Sequence, residues 1–266
     1  MEEASRMVSF WQWTVLTAGY CPKKTFVNNG IFAPVETAVF DNILQRKNVK
    51  CKPYVIDVGV NVGYLSIKAV ISGYKVIGFE PQTRLHDLLC LTKRINDIKD
   101  NSLHVLPFGL SSINSTVYQY DTKSWGKAHI RENIVIGKSS KNMKTIQVNR
   151  MDDIIKIYDN VQVQLLKIDC EGHKLKVLQG AINILKEKRI KNIVIELNDN
   201  KIDIWQILSN QLGYDSFCWE EKYYDIEAIN LALTNKLKIE DYGIFCGEAL
   251  DCVAQKHLTD CWFYLS

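Results

Sequence analysis

Short apolar runs alternate with segments of helical spacing along most of this chain. The runs are predicted strands, and they lie at residues 55–58, 75–79, 103–106, 164–168 and 193–197. Between them, apolar residues recur every three or four positions, as in residues 85–95, which predicts amphipathic helices. Strands that alternate with helices of this length pair in parallel through right-handed crossovers. The pattern predicts an α/β fold, a mostly parallel sheet flanked by helices.

Three parts of the chain depart from this alternation. Residues 1–45 end in a segment of helical spacing and are predicted to be an N-terminal helical cap, whereas residues 46–266 form the main domain. Within that domain, residues 111–149 form a long connection with two short predicted strands, at 117–120 and 144–148, and a polar loop between them. A long connection is typical of a functional segment, and we expect this one to select the substrate. Two late runs, at 214–219 and 251–255, are predicted to pair as terminal strands.

A glycine-spaced turn follows the first predicted strand. It contains Asp57, Gly59, Asn61 and Gly63 and leads directly into a helix. Glycine lets the backbone turn sharply and approach a ligand, although many strand-to-helix turns need glycine for structural reasons alone. Glu80 ends the next strand, where ligands bind in an open α/β sheet and where a carboxylate suits a ribose diol. The combination favours a nucleoside site.

The spacing of this turn narrows the class of ligand. It differs from the G-x-G-x-x-G of dinucleotide-binding proteins, and it lacks the lysine of a P-loop. A nucleoside without a pyrophosphate fits better, and we predict S-adenosylmethionine. Glu36, in the first turn of the N-terminal helix, is either a contact to this cofactor or an acid that suits the positive helix end.

Two carboxylates follow the predicted strand at 164–168. Asp169 and Glu171 lie at the same sheet edge as the glycine turn, where they can face a cationic sulfonium or an incoming hydroxyl. Capping of the next helix is the alternative, and it explains one acid better than two. His173 follows, either as a proton acceptor with an ordinary pKa near neutrality or as a solvated residue at the helix start.

The composition of the chain further restricts the classes of protein to which it can belong. The 266 residues are 47% hydrophobic, as expected for one large α/β domain, and 33 basic against 30 acidic residues leave a charge of +3 that does not argue for nucleic acid. No run of 18 apolar residues predicts a membrane span. The eight cysteines show no C-x-x-C pair, so we expect reduced thiols, a cytoplasmic location and no metal site.

Five sequence blocks together resemble the FkbM-type methyltransferases, which are Rossmann-like, S-adenosylmethionine-dependent enzymes. The blocks are residues 56–64, 79–81, 151–153, 166–172 and 195–197. The resemblance covers residues 30–214 and implies a seven-stranded sheet whose last strand is antiparallel. It also implies methylation of a hydroxyl oxygen, often on a sugar or a glycosylated natural product.

The resemblance assigns roles to individual residues. Those matching the cofactor side are Asp57, Gly59, Asn61, Gly63, Tyr64, Glu80 for the ribose, and Ser111, where the family usually has glycine. Asp169 and Glu171 match the acidic pair after the fourth strand, and Asp169 is counted on both the cofactor and the catalytic side. His173 and Lys174 stand where the family has alanine and glutamate, and Pro107 stands where it has asparagine.

These features predict an S-adenosylmethionine-dependent O-methyltransferase for a small-molecule or glycan hydroxyl. The protein must hold the acceptor oxygen in line with the methyl group, and a base must take the hydroxyl proton. Asp169 is the first candidate base, His173 the second, and Glu171 a third. The alternatives are an RNA ribose or cap 2′-O-methyltransferase, which needs a basic groove, and a non-catalytic cofactor-binding protein. A nicotinamide oxidoreductase ranks last, and the oligomeric state stays open.

Overall fold

The computed structural model describes residues 34–45, 53–121, 128–131, 143–158, 161–197, 200–219, 245–247 and 260–265. The first elements are α1 (Pro34–Gln45), β1 (Tyr54–Val58), α2 (Tyr64–Ile71), β2 (Lys75–Phe79), α3 (Thr83–Ile95) and β3 (Leu103–Leu106). The middle elements are β4 (Gly109–Leu110), β5 (Ser115–Asp121), β6 (Ala128–Arg131), β7 (Met143–Asn149) and α4 (Met151–Ile155). The last are β8 (Val163–Ile168), α5 (Lys174–Gly180), α6 (Ile182–Lys186), β9 (Asn192–Glu196), α7 (Lys201–Trp205), a π-helical turn (Gln206–Gln211), β10 (Asp215–Trp219), β11 (Phe245–Gly247) and β12 (Asp260–Tyr264).

The main sheet has the strand order β11-β10-β12-β9-β8-β1-β2-β3. Neighbours from β9 to β3 are parallel, whereas β12 runs antiparallel to both β9 and β10. The predicted Rossmann-like arrangement, seven mostly parallel strands with the last one antiparallel, is therefore confirmed, and β11 adds a short eighth strand. Strand β10 pairs with β12 and with β11. The run at 251–255, which was predicted to pair with it, lies outside the described residues.

Apolar side chains cover both faces of this sheet. Successive residues of a strand point to opposite faces, so β1 places Ile56 in one core cluster and Val55 in the other. The Val55 cluster includes residues of α1 and α2, and the Ile56 cluster includes residues of α5 and α6. Strands buried on both sides are continuous apolar runs, which explains why the periodicity of the sequence located them.

Strands β4 to β7 form a second sheet within the connection between β3 and α4, and β5 and β7 contain the two short strands predicted there. The strand order of this sheet is β4-β7-β5-β6, with β5 antiparallel to both β6 and β7. Val117, Ile146 and Val148 make a small apolar cluster of their own. The role of residues 111–149 in substrate selection stays a prediction, as does the boundary at residue 45, because residues 1–33 lie outside the described part.

One predicted helix is interrupted. The apolar spacing at 175–185 is divided at Ala181 into α5 and α6. A Cβ on Gly180 would lie 2.0 Å from the backbone oxygen of Ser111, so the chain approaches the second sheet more closely there than a side chain allows. Elsewhere, no helix among the described residues combines the length and hydropathy needed to cross a membrane.

Two buried cysteines correct the expectation of reduced thiols. Cys218 on β10 and Cys261 on β12 form a disulfide, whereas Cys90 and Cys170 are not disulfide-bonded. The cause is strand register, because the two residues stand directly opposite each other in an antiparallel pair. Disulfides persist in oxidising compartments, so this bond does not favour the predicted cytoplasmic location.

We expect the Cys218→Ala/Cys261→Ala double variant to be less stable than the oxidised protein. The bond closes a loop of sequence separation 43 and lowers the entropy of the unfolded chain, which corresponds to about 4 kcal/mol. Urea unfolding under non-reducing conditions measures the difference, with Cys90→Ala as the control for an exposed free thiol. Equal unfolding free energies for oxidised and reduced wild-type protein would contradict the assignment.

Candidate functional site

The glycine turn between β1 and α2 has an unusual backbone. Gly59, Asn61 and Gly63 have φ angles of 83°, 54° and 85°, in the left-handed region that glycine and asparagine tolerate best. Gly59 N donates to Phe79 O at 2.9 Å, and Gly63 N donates to Val60 O at 2.9 Å. These bonds hold the turn against the carboxyl end of β2. Tyr64 begins α2 directly after the turn and is buried.

Gly59 also brings the turn against the end of β8. A Cβ at this position would lie 2.0 Å from Asp169 O, and Asp169 N donates to Val58 O at 2.9 Å. Glycine is therefore needed here so that the backbone can pack against Asp169. The sequence suggested only the other reason, that glycine lets a ligand approach the turn. Asp169 is thereby fixed beside the glycine turn.

Glu80 lies against the same turn, as predicted. It is only 2% exposed, and its two carboxylate oxygens accept backbone hydrogen bonds from Asn61 N and Gln82 N, each at 2.9 Å. Burial raises the pKa of Glu80 to about 6, although these hydrogen bonds act to lower it. A carboxylate oxygen has two lone pairs, so each oxygen can accept a further hydrogen bond.

Asp57 is a buried acid with one unsatisfied oxygen. It is 1% exposed, and its Oδ2 accepts a hydrogen bond from Ser66 Oγ at 2.5 Å. Its Oδ1 has no hydrogen-bond partner among the described residues and lies 3.8 Å from Lys167 Nζ. Burial raises the pKa of Asp57, against the lowering effect of Lys167 and Ser66.

Lys167 was not singled out from the sequence, yet it lies between the acids. Its Nζ is 3.4 Å from Asp169 Oδ2 and donates to Gly59 O at 3.5 Å. Burial lowers its pKa, but Asp169, Asp57 and Glu36 outweigh burial and raise it above its ordinary value. The available signal was a charged residue inside a strand predicted to be buried, because lysine is rarely buried unless it is paired.

Glu36 on α1 is within electrostatic reach of the same group. Burial raises its pKa to about 8; Lys167 lowers it, and Asp169, Asp260 and Asp57 raise it further. Asp260 begins β12 opposite Glu196 and was also missed, because its place depends on antiparallel pairing late in the chain. We call Glu36, Asp57, Asp169 and Asp260 the acidic cluster.

The remaining predicted residues occupy the start of α5. His173 is only 4% exposed, so the alternative of a solvated residue is wrong, and its Nε2 lies 3.0 Å from Oγ of the buried Ser111. Glu171 is half-buried. Lys174 is buried and donates to Glu196 Oε2 at 2.9 Å. Two of the residues that depart from the family pattern, His173 and Lys174, are therefore both buried and paired.

Within the described ranges, no group of three or more His, Cys, Asp or Glu side chains is arranged to hold a metal ion. The expected absence of a metal stays a prediction. The edge itself carries carboxylates, the two buried ammonium groups of Lys167 and Lys174, and the backbone of the glycine turn.

Replacing Gly59 by alanine should destabilise the protein much more than the same change at Gly73. Both glycines have positive φ angles, but a Cβ at Gly73 meets nothing within 4 Å. Gly73→Ala should cost about 1–2 kcal/mol from backbone strain alone, and Gly59→Ala at least about 2 kcal/mol more because it also overlaps Asp169. Urea unfolding measures both, and equal losses would show that the Asp169 contact is unimportant.

Glu36 should make the protein less stable as pH rises. An acid whose pKa is raised on folding contributes stability below its ordinary pKa of 4.5, and this contribution is lost as pH rises through about 8. Glu36→Gln should therefore match wild type at pH 5 and melt roughly 2–4 °C higher at pH 9. Asp100→Asn is the control, because pairing with Lys93 lowers the pKa of that exposed acid. A Glu36→Gln melting temperature equal to wild type at both pH values would contradict the raised pKa of Glu36.

This chain is similar in sequence to known methyltransferases. A sequence model described as the methyltransferase FkbM domain matches residues 57–237. Methyltransferase sdnD of Sordaria araneosa is 24% identical over 187 residues, which cover 59% of this chain and 70% of that protein. Hexuronic acid methyltransferase AglP of Haloferax volcanii is 27% identical over 155 residues, which cover 58% of this chain and 60% of that protein.

The crystal structure of methyltransferase FkbM from Methylobacillus flagellatus KT is also similar. It is 15% identical with a TM-score of 0.47, and the match covers 84% of this chain and 47% of that one. This chain thus spans less than two thirds of AglP and less than half of the crystallised protein. The family assignment follows from the domain match, which begins at Asp57 and takes in the glycine turn, Glu80 and Asp169. Because that match covers more than half of the chain, the chain belongs to the FkbM methyltransferase family and is an S-adenosylmethionine-dependent methyltransferase.

Proposed function

We propose that this protein transfers a methyl group from S-adenosylmethionine to a hydroxyl oxygen of a sugar or a glycosylated small molecule. The observation that carries the proposal is the convergence of the glycine turn, buried Glu80, buried Asp57 and partly exposed Asp169 at one sheet edge. This edge combines groups suited to a nucleoside, a cation and a proton.

The residues present fit the cofactor. Glu80 is held by Asn61 N and Gln82 N and keeps acceptor capacity for the two ribose hydroxyls. Asp57 Oδ1 accepts no hydrogen bond among the described residues, and a buried carboxylate oxygen without a hydrogen bond is costly. This oxygen, together with Glu36, therefore suits the cationic part of the ligand. Gly59, Gly63, Tyr64 and Ser111 stay predicted contacts. When bound, S-adenosylmethionine supplies an electrophilic methyl group on a sulfonium sulfur.

Asp169 is the proposed general base. Its side chain is 43% exposed, so an acceptor hydroxyl can reach it, and its ion pair with Lys167 keeps it beside the glycine turn. A carboxylate there can take the proton as the oxygen attacks the methyl carbon. His173 ranks second because it is buried and bonded to Ser111, and half-buried Glu171 stays a candidate.

The acceptor class is proposed from the charge of the edge and from one relative. Carboxylates lie at this edge on five neighbouring strands: Asp57 near the end of β1, Glu80 and Asp169 directly after β2 and β8, Glu196 at the end of β9, and Asp260 at the start of the antiparallel β12. Such an edge repels phosphates, which disfavours RNA as the acceptor, whereas carboxylates readily accept hydrogen bonds from sugar hydroxyls. The name of AglP identifies a hexuronic acid methyltransferase, which supports a sugar acceptor for this chain.

A methyl-transfer screen tests the proposal. The full chain is incubated with labelled S-adenosylmethionine and with sugar acids, glycosides or capped RNA, and S-adenosylhomocysteine and labelled acceptor are quantified. We expect label on a sugar hydroxyl. Asp169→Asn should lower kcat by about 10²–10⁴-fold, the contribution of general acid–base catalysis, and should still bind S-adenosylhomocysteine in calorimetry.

Asp203→Asn, an exposed acid on α7, is the matched control and should turn over like wild type. Label on capped RNA alone would replace the sugar proposal by the RNA alternative. Binding of the cofactor without S-adenosylhomocysteine formation from any acceptor would instead favour a non-catalytic protein.

A further inference from the structure

We propose that Lys167 is a positioning residue that holds the cofactor turn, Asp57 and Asp169 in one arrangement; this inference rests on the proposed function of those groups. Its ammonium touches three different segments, the end of β1, the glycine turn and the residue after β8. It would act through the groups it orients and would not itself touch the reacting atoms.

Strand register places Lys167 where it can do this. Lys167 stands opposite Asp57 in the parallel pair of β8 and β1, so both side chains leave the same face of the sheet. Two residues earlier on the same face, Val55 and Leu165 belong to the core cluster that includes Val39 of α1. The lysine stem therefore continues this apolar face, and its ammonium reaches the edge under the first turn of α1.

The contacts suit lysine in particular. Its Nζ has three N–H groups, and it faces three oxygens, Asp169 Oδ2 at 3.4 Å, Gly59 O at 3.5 Å and Asp57 Oδ1 at 3.8 Å. An ammonium is a compact charge that can serve acceptors in several directions, whereas the planar guanidinium of arginine presents its donors as a fork.

Stability alone does not account for a lysine at this position. All six residues of β8 are buried, and a buried charge carries a desolvation cost that well-packed apolar residues avoid. The acidic cluster explains why a lysine stands in this buried strand. Its members come from α1, β1, the end of β8 and β12, and Lys167 faces three of them, Glu36, Asp57 and Asp169.

Without the ammonium, these carboxylates would repel one another and take up protons. A protonated Asp57 would attract a cationic ligand less strongly. Lys167 therefore favours the ionised forms of Asp57 and Glu36, which burial opposes, and so leaves negative charge for a cationic ligand. That charge state favours a sulfonium donor over its neutral product.

The test is the pH dependence of cofactor binding, which needs no acceptor. Lys167→Met keeps an unbranched stem and removes the charge. We expect its calorimetric affinity for S-adenosylmethionine at pH 7 to fall at least tenfold. The acid limb of its binding profile should move up by about one pH unit, because the carboxylates lose their counter-charge. Lys68→Met, which removes the ion pair with Asp41 between α2 and α1, is the control and should keep the wild-type limb.

A second variant keeps the proposal testable if Lys167→Met does not fold. Lys167→Arg retains the charge, so its acid limb should stay in place, while kcat falls about tenfold because a planar fork cannot serve the three oxygens. The positioning role would be overturned if folded Lys167→Met kept the wild-type acid limb of its cofactor-binding profile, or if Lys167→Arg kept the wild-type kcat. Failure of wild-type protein to methylate any sugar would instead overturn the proposed function and leave the binding result valid.

Discussion

The close approach of the Gly59 backbone to the backbone of Asp169 determines the geometry of the whole candidate site. Only a residue without Cβ fits there, since that atom would lie 2.0 Å from Asp169 O. The contact aligns the ends of β1 and β8, so that the turn, Asp57 and Asp169 share one edge with the end of β2. Because β8 and β1 are also paired in register, Lys167 comes to lie opposite Asp57. The chemistry at this edge depends on that alignment.

The second constraint on the candidate site is the interaction among its charged groups, which is strong because these groups are buried. Asp57, Glu80 and Lys167 are all nearly inaccessible to water, and Coulomb interactions are stronger there than at the surface. The ammonium of Lys167 offsets part of the repulsion among the acids, and backbone N–H groups stabilise the carboxylate of Glu80. A site of this kind suits a positively charged nucleoside. The acids of such a site would repel a polyanion such as RNA, and the net charge of +3 on the whole chain does not argue for nucleic acid either.

The second sheet and the disulfide lie beside the candidate site. Strands β4 to β7 occupy the connection in which the sequence predicted two short strands, and Gly180 lets α5 approach the backbone of Ser111. His173 then meets the Ser111 hydroxyl in a buried contact. At the far side, the Cys218–Cys261 bond joins β10 to β12, the strand that begins with Asp260. A structural bond therefore lies next to the acidic cluster.

Local sequence patterns were enough to predict the α/β class, the strands of the parallel core, the glycine turn and its closeness to Glu80. Burial on both faces produces apolar runs, and a sharp turn requires glycine. The positions of Lys167, Asp260, His173 and the disulfide became clear only from the folded chain. Each depends on which residue of a distant strand or helix lies opposite, and that register results from packing of the whole sheet, which no local pattern encodes.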